Sequence, residues 1–238
     1  MIVKLIKTAV PLSAVIVLSG CQISSKAPGV WYGVAYDQES GGYSEVAMFV
    51  TEAGETRIST TAGLNMAGLS AFDGDILYSL PSSNYGSEDP LKINPQAKLL
   101  ISGEFSDAAV TIEVMDKEST IQKLDLVKSS DAAATQGDYA GIWYANPHNP
   151  SPDYTWSIDD SGNITGNDES GCQYHGTVSA SSAINVADLS LVISECDYSG
   201  FYLGVMSLFN DPSSDRVGIF YNYSNHENIF VNGLEKIL

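Results

Sequence analysis

Gly29-Val30-Trp31-Tyr32 returns later in the chain as Gly141-Ile142-Trp143-Tyr144, and this repeated opening is the main indication of the fold. A period of roughly 110 residues is far longer than the ~20–50 residues of a solenoid repeat. The pattern therefore indicates a duplicated domain. The glycines behind each opening repeat as well, at one constant spacing: Gly54, Gly63 and Gly68 correspond to Gly162, Gly171 and Gly176.

Apolar and polar side chains alternate in short runs within both copies. The runs 110–115, 154–159 and 189–194 are examples, and segments rich in Gly, Asn, Asp and Ser separate such runs. Alternation with a period of two is the pattern of half-buried β-strands. Each copy offers about eight runs, and eight short antiparallel strands suit a small closed barrel because closure removes exposed strand edges.

The sequence therefore predicts an all-β protein with two tandem, small, antiparallel up-and-down β-barrel domains of about eight strands each. A β-sandwich is the alternative. The predicted boundaries are a signal peptide at 1–20, a tether at 21–28, the first barrel at 29–128, a linker at 129–138 and the second barrel at 139–238.

The N-terminus has the features of a bacterial lipoprotein signal. Two lysines precede the stretch 8–20, which is almost wholly apolar but shorter than the ~20 residues that span a membrane. Cys21 follows Leu-Ser-Gly, which resembles the lipobox, in which this thiol is diacylated. The resemblance implies a lipid anchor on Cys21, and Gln22 after it favours the outer membrane, on either its periplasmic or its surface face.

The charge balance limits the partners. The chain has 11 Lys and Arg against 29 Asp and Glu, a formal net charge of −18. Binding of nucleic acid needs a basic surface, so this composition excludes it. An anionic membrane surface would repel the body of the protein, so we expect the lipid to do the anchoring. The acidity is compatible with a basic protein partner, with cations or with solubility alone.

Cys172 and Cys196 remain once Cys21 carries lipid. An even pair in an exported domain usually forms a disulfide, whereas metal binding or catalysis would call for a His cluster that does not accompany these thiols. A hairpin centred on the loop 181–187 would place the two cysteines opposite each other. Because strand alternation puts them on different faces, we expect a bulge near residues 194–195 to restore the phase.

Three motifs follow one another in the second copy: Gly-x-Trp at 141–143, a glycine turn at 160–163 and Ser-Gly-Cys-x-Tyr-x-Gly at 170–176. This order resembles a domain common in uncharacterised bacterial lipoproteins, with a small lipocalin- or avidin-like barrel. The first copy matches more weakly, since Leu64 stands where Cys172 would. The resemblance implies a small barrel and an exported location, and it implies no activity.

Several groups that could carry chemistry have simpler interpretations. The stretch 159–163 has oxygen ligands for calcium, but Asp-Ser-Gly-Asn between strands is hairpin-turn chemistry and the full calcium-loop spacing is absent, so we predict a turn and no metal. His148, His175 and His226 lie beside no nucleophile motif. We predict no catalytic residue, no cofactor and no enzyme activity, and we keep a hydrolase with paired carboxylates as an alternative.

Aromatic side chains concentrate in the second copy, where they could fill a core or form a binding surface. The sequence predicts a lipid-anchored envelope protein that acts as a non-catalytic binding or structural accessory module for a protein partner. A carrier of a small apolar ligand inside a barrel is the alternative. The candidate residues for ligand or partner binding are Tyr154, Trp156, Tyr174, Tyr198, Tyr202 and Tyr221.

The substitution Cys21→Ser removes the thiol that would receive the lipid. We expect the wild-type chain to incorporate radiolabelled palmitate and to sediment with outer membranes, and the variant to incorporate none, because acyl chains supply the anchoring energy. Cys172→Ser is the matched control and should keep the label. A labelled Cys21→Ser chain would contradict the prediction of a lipoprotein.

Overall fold

The computed structural model describes residues 24–117, 119–145, 154–211 and 216–236. Cys21 and His148 therefore lie outside the described residues. Regular structure consists almost entirely of β-strand, as the alternating pattern predicts. In the described part of the chain, no helix combines the length and the apolar composition needed to cross a membrane.

The first copy folds into a closed antiparallel barrel of eight strands, and a further two-residue strand pairs with one of them. The strands follow the chain order around the barrel, and the first pairs with the last to close it. They are β1 (Gly29–Asp37), β2 (Tyr43–Val50), β3 (Glu55–Thr60), β4 (Asn65–Asp73), β5 (Ile76–Ser79), the short β6 (Ser82–Ser83), β7 (Leu99–Phe105), β8 (Ala109–Asp116) and β9 (Ser119–Lys128).

The second copy forms another closed barrel with the same up-and-down order. The prediction of two tandem eight-stranded antiparallel barrels is confirmed. The strands are β10 (Gly141–Tyr144), β11 (Tyr154–Ile158), β12 (Asn163–Asp168), β13 (Gln173–Ala180), β14 (Ala187–Ser194), β15 (Gly200–Asp211), β16 (Arg216–Ser224) and β17 (Ile229–Lys236).

Four of the repeated glycines lie in turns that are built the same way. Each has a positive φ, between 83° and 91°, which glycine adopts without strain. In each turn the side-chain oxygen of a Thr or Asp, three residues before the glycine, accepts a hydrogen bond from the backbone N–H just after it. The bonds are Glu55 to Thr51 (3.1 Å), Leu64 to Thr60 (3.1 Å), Asn163 to Asp159 (2.9 Å) and Cys172 to Asp168 (3.0 Å).

The tryptophan of the opening motif ties the end of each barrel to the chain before it. Trp31 is fully buried, and its indole N–H donates to the carbonyl of Ala27 at 2.9 Å. Lys128, at the end of β9, lies 5.2 Å from the centre of that ring and donates to the carbonyl of Lys26 at 2.7 Å. From residue 24 onward, the predicted tether is thus in contact with the first barrel.

The second barrel repeats this arrangement with its own residues. The indole of Trp143 donates to the carbonyl of Tyr139 at 2.8 Å. Lys236 lies 5.3 Å from the ring centre and donates to the carbonyl of Ala140 at 2.6 Å. Tyr139 ends a short 3-10 helix, Gln136–Tyr139, so the linker finishes as part of the second barrel.

The two barrel interiors have diverged in chemistry. The first is filled mainly by aliphatic side chains and Met, whereas the second is rich in Tyr and Trp. Both sets are buried, as expected of small barrels that fill their own interior. The corresponding residues at the repeat spacing include Val46 and Tyr154, Met48 and Trp156, and Met66 and Tyr174.

The predicted disulfide joins Cys172 to Cys196, with a Cα–Cα distance of 4.9 Å. Strand β14 ends at Ser194, and Glu195 has a φ of 64°, in the left-handed region. This break in the extended backbone lies where the sequence predicted a bulge. It brings Cys196 opposite Cys172 although the two residues differ in strand phase.

The two barrels pack side by side through outward-facing apolar residues. Val30 and Phe49 of the first barrel and Val186 and Val205 of the second form one buried cluster, each at most 3 % exposed. Phe49 also stacks on Phe220, with ring centres 5.4 Å apart. Packing between the copies, which the sequence does not predict, thus places apolar side chains on the outside of each barrel.

Arg57 carries a buried polar contact between the barrels. Its side chain is 4 % exposed and pairs with Glu55 on the same strand at 2.6 Å. Across the interface it donates to Asn222 Oδ1 at 2.9 Å, to Ser224 Oγ at 3.2 Å and to the carbonyl of Leu203 at 2.8 Å. One guanidinium thus connects β3 with both β15 and β16.

Arg57→Ala should lower the free energy of unfolding by about 3 kcal/mol, because it leaves the buried Oδ1 of Asn222 and the partly buried carbonyl of Leu203 without their donor. Arg216→Ala is the control, since Arg216 forms an ion pair with Glu235 in which both side chains are at least 34 % exposed. It should cost less than about 1 kcal/mol. Urea denaturation measures both, and equal losses would contradict the role of Arg57.

Candidate functional site

A groove with a volume of about 600 Å³ lies between the two barrels. Strands β1, β2 and β3 contribute one side, and β15, β16 and β17 contribute the other, together with one linker residue. Its volume and its position between domains are typical of small-ligand sites. We call it the inter-barrel groove, and its main residues are Tyr32, Glu45, Asp131, Phe209, Asn210 and Phe220.

Outward-facing side chains form the apolar walls of the inter-barrel groove. Tyr32 of β1 and Ala47 of β2 are cross-strand neighbours on the first barrel. Phe220 of β16 faces them from the second barrel, where it stacks on Phe49. Phe209 of β15 adds a further ring and covers Gly218, since a Cβ there would lie 2.1 Å from the ring.

The inter-barrel groove is not among the features predicted from the sequence, although the sequence contains one signal of it. Strand β2 ends in the run Val46-Ala47-Met48-Phe49-Val50, which is apolar at every position. A strand with one solvated face alternates, whereas an unbroken apolar run indicates burial on both faces. The outer face of this strand is buried because the second barrel lies against it.

The charged groups of the inter-barrel groove are acidic. Glu45 and Asp131 line it, both exposed to solvent. Among the described residues, no Lys, Arg or His lines it. Burial raises the pKa of the Tyr32 phenol to about 12, and the negative charge of Asp131 adds to the shift. The phenol therefore stays protonated and neutral at physiological pH.

A second cavity of about 470 Å³ lies beneath the linker and shares Asp131 and Asn210 with the groove. Lys236 lines it, but its ammonium donates to the carbonyl of Ala140 and lies over the ring of Trp143. The basic side chain here is thus engaged in closing the barrel.

The aromatic residues predicted as a binding set lie elsewhere. Tyr154, Trp156, Tyr174, Tyr202 and Tyr221 belong to the core of the second barrel, and none of them lines the inter-barrel groove. Trp156 stacks on Tyr221 with ring centres 5.0 Å apart, and Tyr154 on Tyr174 at 6.0 Å.

Tyr198 differs from the other five because it lies outside the core cluster, whereas Tyr154, which is also only partly buried, packs against that cluster. It lies in the loop after the disulfide, with its ring 5.3 Å from Phe230 and the ammonium of Lys92 5.7 Å from its centre. Its carbonyl accepts a hydrogen bond from the Tyr202 hydroxyl at 2.7 Å. The structure thus divides the predicted set into five core residues and one residue at the barrel rim.

Two polar atoms in this core have no partner among the described residues: the indole N–H of Trp156 and the hydroxyl of Tyr154. The Tyr174 hydroxyl, in contrast, donates to Asp168 at 2.8 Å. Burial also holds the pKa of Tyr221 well above its usual value. The cluster therefore consists of neutral aromatic groups.

The other groups considered in the sequence are not brought together. His175 and His226 are exposed on different parts of the second barrel. The carboxylate of Asp159 accepts backbone hydrogen bonds from Ser161 and Asn163 of its own turn. Within residues 24–236, excluding the segments not described, no three His, Cys, Asp or Glu side chains are grouped as metal ligands.

Comparison of the chain with protein-family models, with curated proteins and with solved structures finds no match.

The Asp168 carboxylate supports the aromatic core of the second barrel. Burial opposes its ionisation, but hydrogen bonds from Ser170, Tyr174 and Cys172 outweigh burial and hold its pKa below the usual value. A carboxyl with a lowered folded-state pKa adds stability above the unfolded pKa of about 3.9, and this is lost as the pH falls through the folded-state pKa.

Asp168→Asn should therefore lower the free energy of unfolding by about 1–2 kcal/mol at pH 7, and the difference should shrink below about pH 4. Urea denaturation across this pH range measures it. Glu169→Gln, exposed on the same turn, is the control and should change stability by less than about 0.5 kcal/mol. A loss that stays the same at all pH values would contradict the assignment.

Proposed function

We propose that this protein is a lipid-anchored, non-catalytic binding protein of the bacterial outer membrane, and that it holds a small ligand in the inter-barrel groove. The observation that carries the proposal is the groove itself. Two barrels and their linker border an open groove of about 600 Å³ with apolar walls, whereas the barrel interiors are filled by their own side chains.

The location rests on the sequence. The apolar segment 8–20 and the Leu-Ser-Gly-Cys at its end support export and lipidation at Cys21. The Cys172–Cys196 disulfide is consistent with an oxidising compartment outside the cytoplasm. A tethered protein of this kind would meet its ligand within reach of the membrane.

The structure favours binding of a small ligand in the inter-barrel groove over binding in the interior of a barrel. An eight-stranded barrel holds a ligand when its interior is left open. Here the inward-facing rings of Trp156, Tyr174 and Tyr221 are each at most 7 % exposed and pack against one another. A protein partner and hydrolysis by paired carboxylates remain predictions from the sequence.

Binding can be tested with the mature chain carrying Cys21→Ser, exported behind an ordinary secretory leader. N-phenyl-1-naphthylamine, which is neutral and fluoresces in apolar sites, is titrated into the protein. We expect saturable binding of one molecule per chain and recovery of the molecule chemically unchanged. Asn210→Trp, at an exposed position that lines the groove, should abolish binding by occupying it.

Asn167→Trp makes the same replacement at an exposed position of β12 and should leave binding intact. Circular dichroism and thermal unfolding of both variants check that each is folded. The proposal fails if the wild-type chain binds no dye, or if Asn210→Trp and Asn167→Trp bind it equally well.

A further inference from the structure

We infer that the inter-barrel groove selects organic ammonium ions, that is, ligands with a positive charge on an apolar, preferably aromatic body. The inference rests on the proposed function, because it names the ligand class for the same groove. It follows from three properties of the lining: aromatic walls, carboxylates without a competing base, and a neutral phenol.

The aromatic walls suit the apolar body of such a ligand. Tyr32 comes from the first barrel, and Phe209 and Phe220 come from the second, so rings face the groove from both sides. The faces of aromatic rings carry partial negative charge and attract cations, most strongly where water is excluded. Apolar contact and cation–π attraction would therefore act on the same ligand.

The carboxylates supply the charge that such a ligand needs. Glu45 lies on β2 and Asp131 in the linker, and no described Lys or Arg forms an ion pair with either. Asp131 accepts one hydrogen bond, from Ser129 at 2.7 Å, which leaves lone pairs of the carboxylate for a ligand. A cation would thus pair with the groove without displacing an existing base.

Tyr32 adds an oxygen that remains neutral. The lone pairs of the phenol oxygen can accept a hydrogen bond from an ammonium ion, and the residue lines the groove. Burial, which raises the phenol pKa to about 12, moves ionisation still further from physiological pH. The charge of the whole protein also favours a cationic ligand. Its formal net charge of −18 raises the local concentration of cations and repels anions.

The test uses three soluble molecules of nearly equal size: 2-phenylethylammonium, 2-phenylethanol and phenylacetate. Each displaces N-phenyl-1-naphthylamine from the mature Cys21→Ser chain. We expect the ammonium ion to bind at least about tenfold more tightly than the alcohol, since two exposed carboxylates each contribute modestly, and phenylacetate to bind most weakly. Raising the salt from about 20 mM to about 500 mM should reduce the preference for the cation several-fold.

The double variant Glu45→Gln with Asp131→Asn should abolish the preference for the cation and keep the binding of the neutral dye. Asp107→Asn removes an exposed carboxylate that does not line the groove, and it should keep the preference.

Equal affinities for the ammonium ion and the alcohol, or a preference that survives in the double variant, would overturn the inference. The proposed function would still stand if the neutral dye bound at the groove in the same experiment. Failure of the dye to bind would overturn both.

Discussion

The guanidinium of Arg57 is buried in the interface between the two closed barrels and forms hydrogen bonds across it. A closed barrel leaves no free strand edge, so the barrels associate mainly through outward side chains, with two backbone hydrogen bonds added by the loop around Lys92, to Glu227 and from Ile229. Arg57 is buried there because Glu55 neutralises it and because Asn222, Ser224 and Leu203 accept its hydrogen bonds from the other barrel. Docking geometries that bury this cation without those partners are penalised, because an uncompensated buried charge is strongly destabilising.

The groove is a consequence of this docking. Outward residues of β1 and β2 are apolar where the second barrel packs against them. Where the two barrels are not in direct contact, the same surface forms a wall of the inter-barrel groove. Neither barrel alone contains the site: Tyr32 and Glu45 come from one copy, Phe209 and Phe220 from the other, and Asp131 from the chain that joins them. Duplication of a filled barrel thus creates a binding surface that a single copy lacks.

The two copies keep their framework and differ in their contents. The turn glycines and the Trp–Lys arrangement recur with nearly the same distances in both. The interior does not recur: Met48 and Met66 correspond to Trp156 and Tyr174, and Leu64 corresponds to the disulfide-bonded Cys172. Apolar residues in a barrel interior can be replaced by one another as long as the total volume of the core is conserved. A turn position with a left-handed backbone conformation, in contrast, tolerates little besides glycine.

The features that could be predicted from the sequence all arise from signals between residues close together in the chain. Alternation determined the strands, Gly with a preceding Thr or Asp determined the turns, and the repeated openings determined two barrels. The phase conflict at Cys172 and Cys196 also located the break at Glu195, because strand periodicity is a rule of near neighbours. The six aromatic residues were predicted to bind a ligand or partner, and the structure places five of them in the core of the second barrel, because whether a side chain lines a core or a ligand site depends on which side of the strand is enclosed.

The packing of the two barrels, the burial of Arg57 and the inter-barrel groove could not be predicted from the sequence. These depend on side chains that lie far apart in sequence, such as Phe49 and Phe220, and on outward faces that no single strand pattern pairs with a partner. An apolar run such as that of β2 indicates that the outer face of the strand is buried, but it does not identify the part of the protein that packs against this face. That information exists only once both barrels have folded, because the complementary surface is assembled from β15, β16 and β17 together.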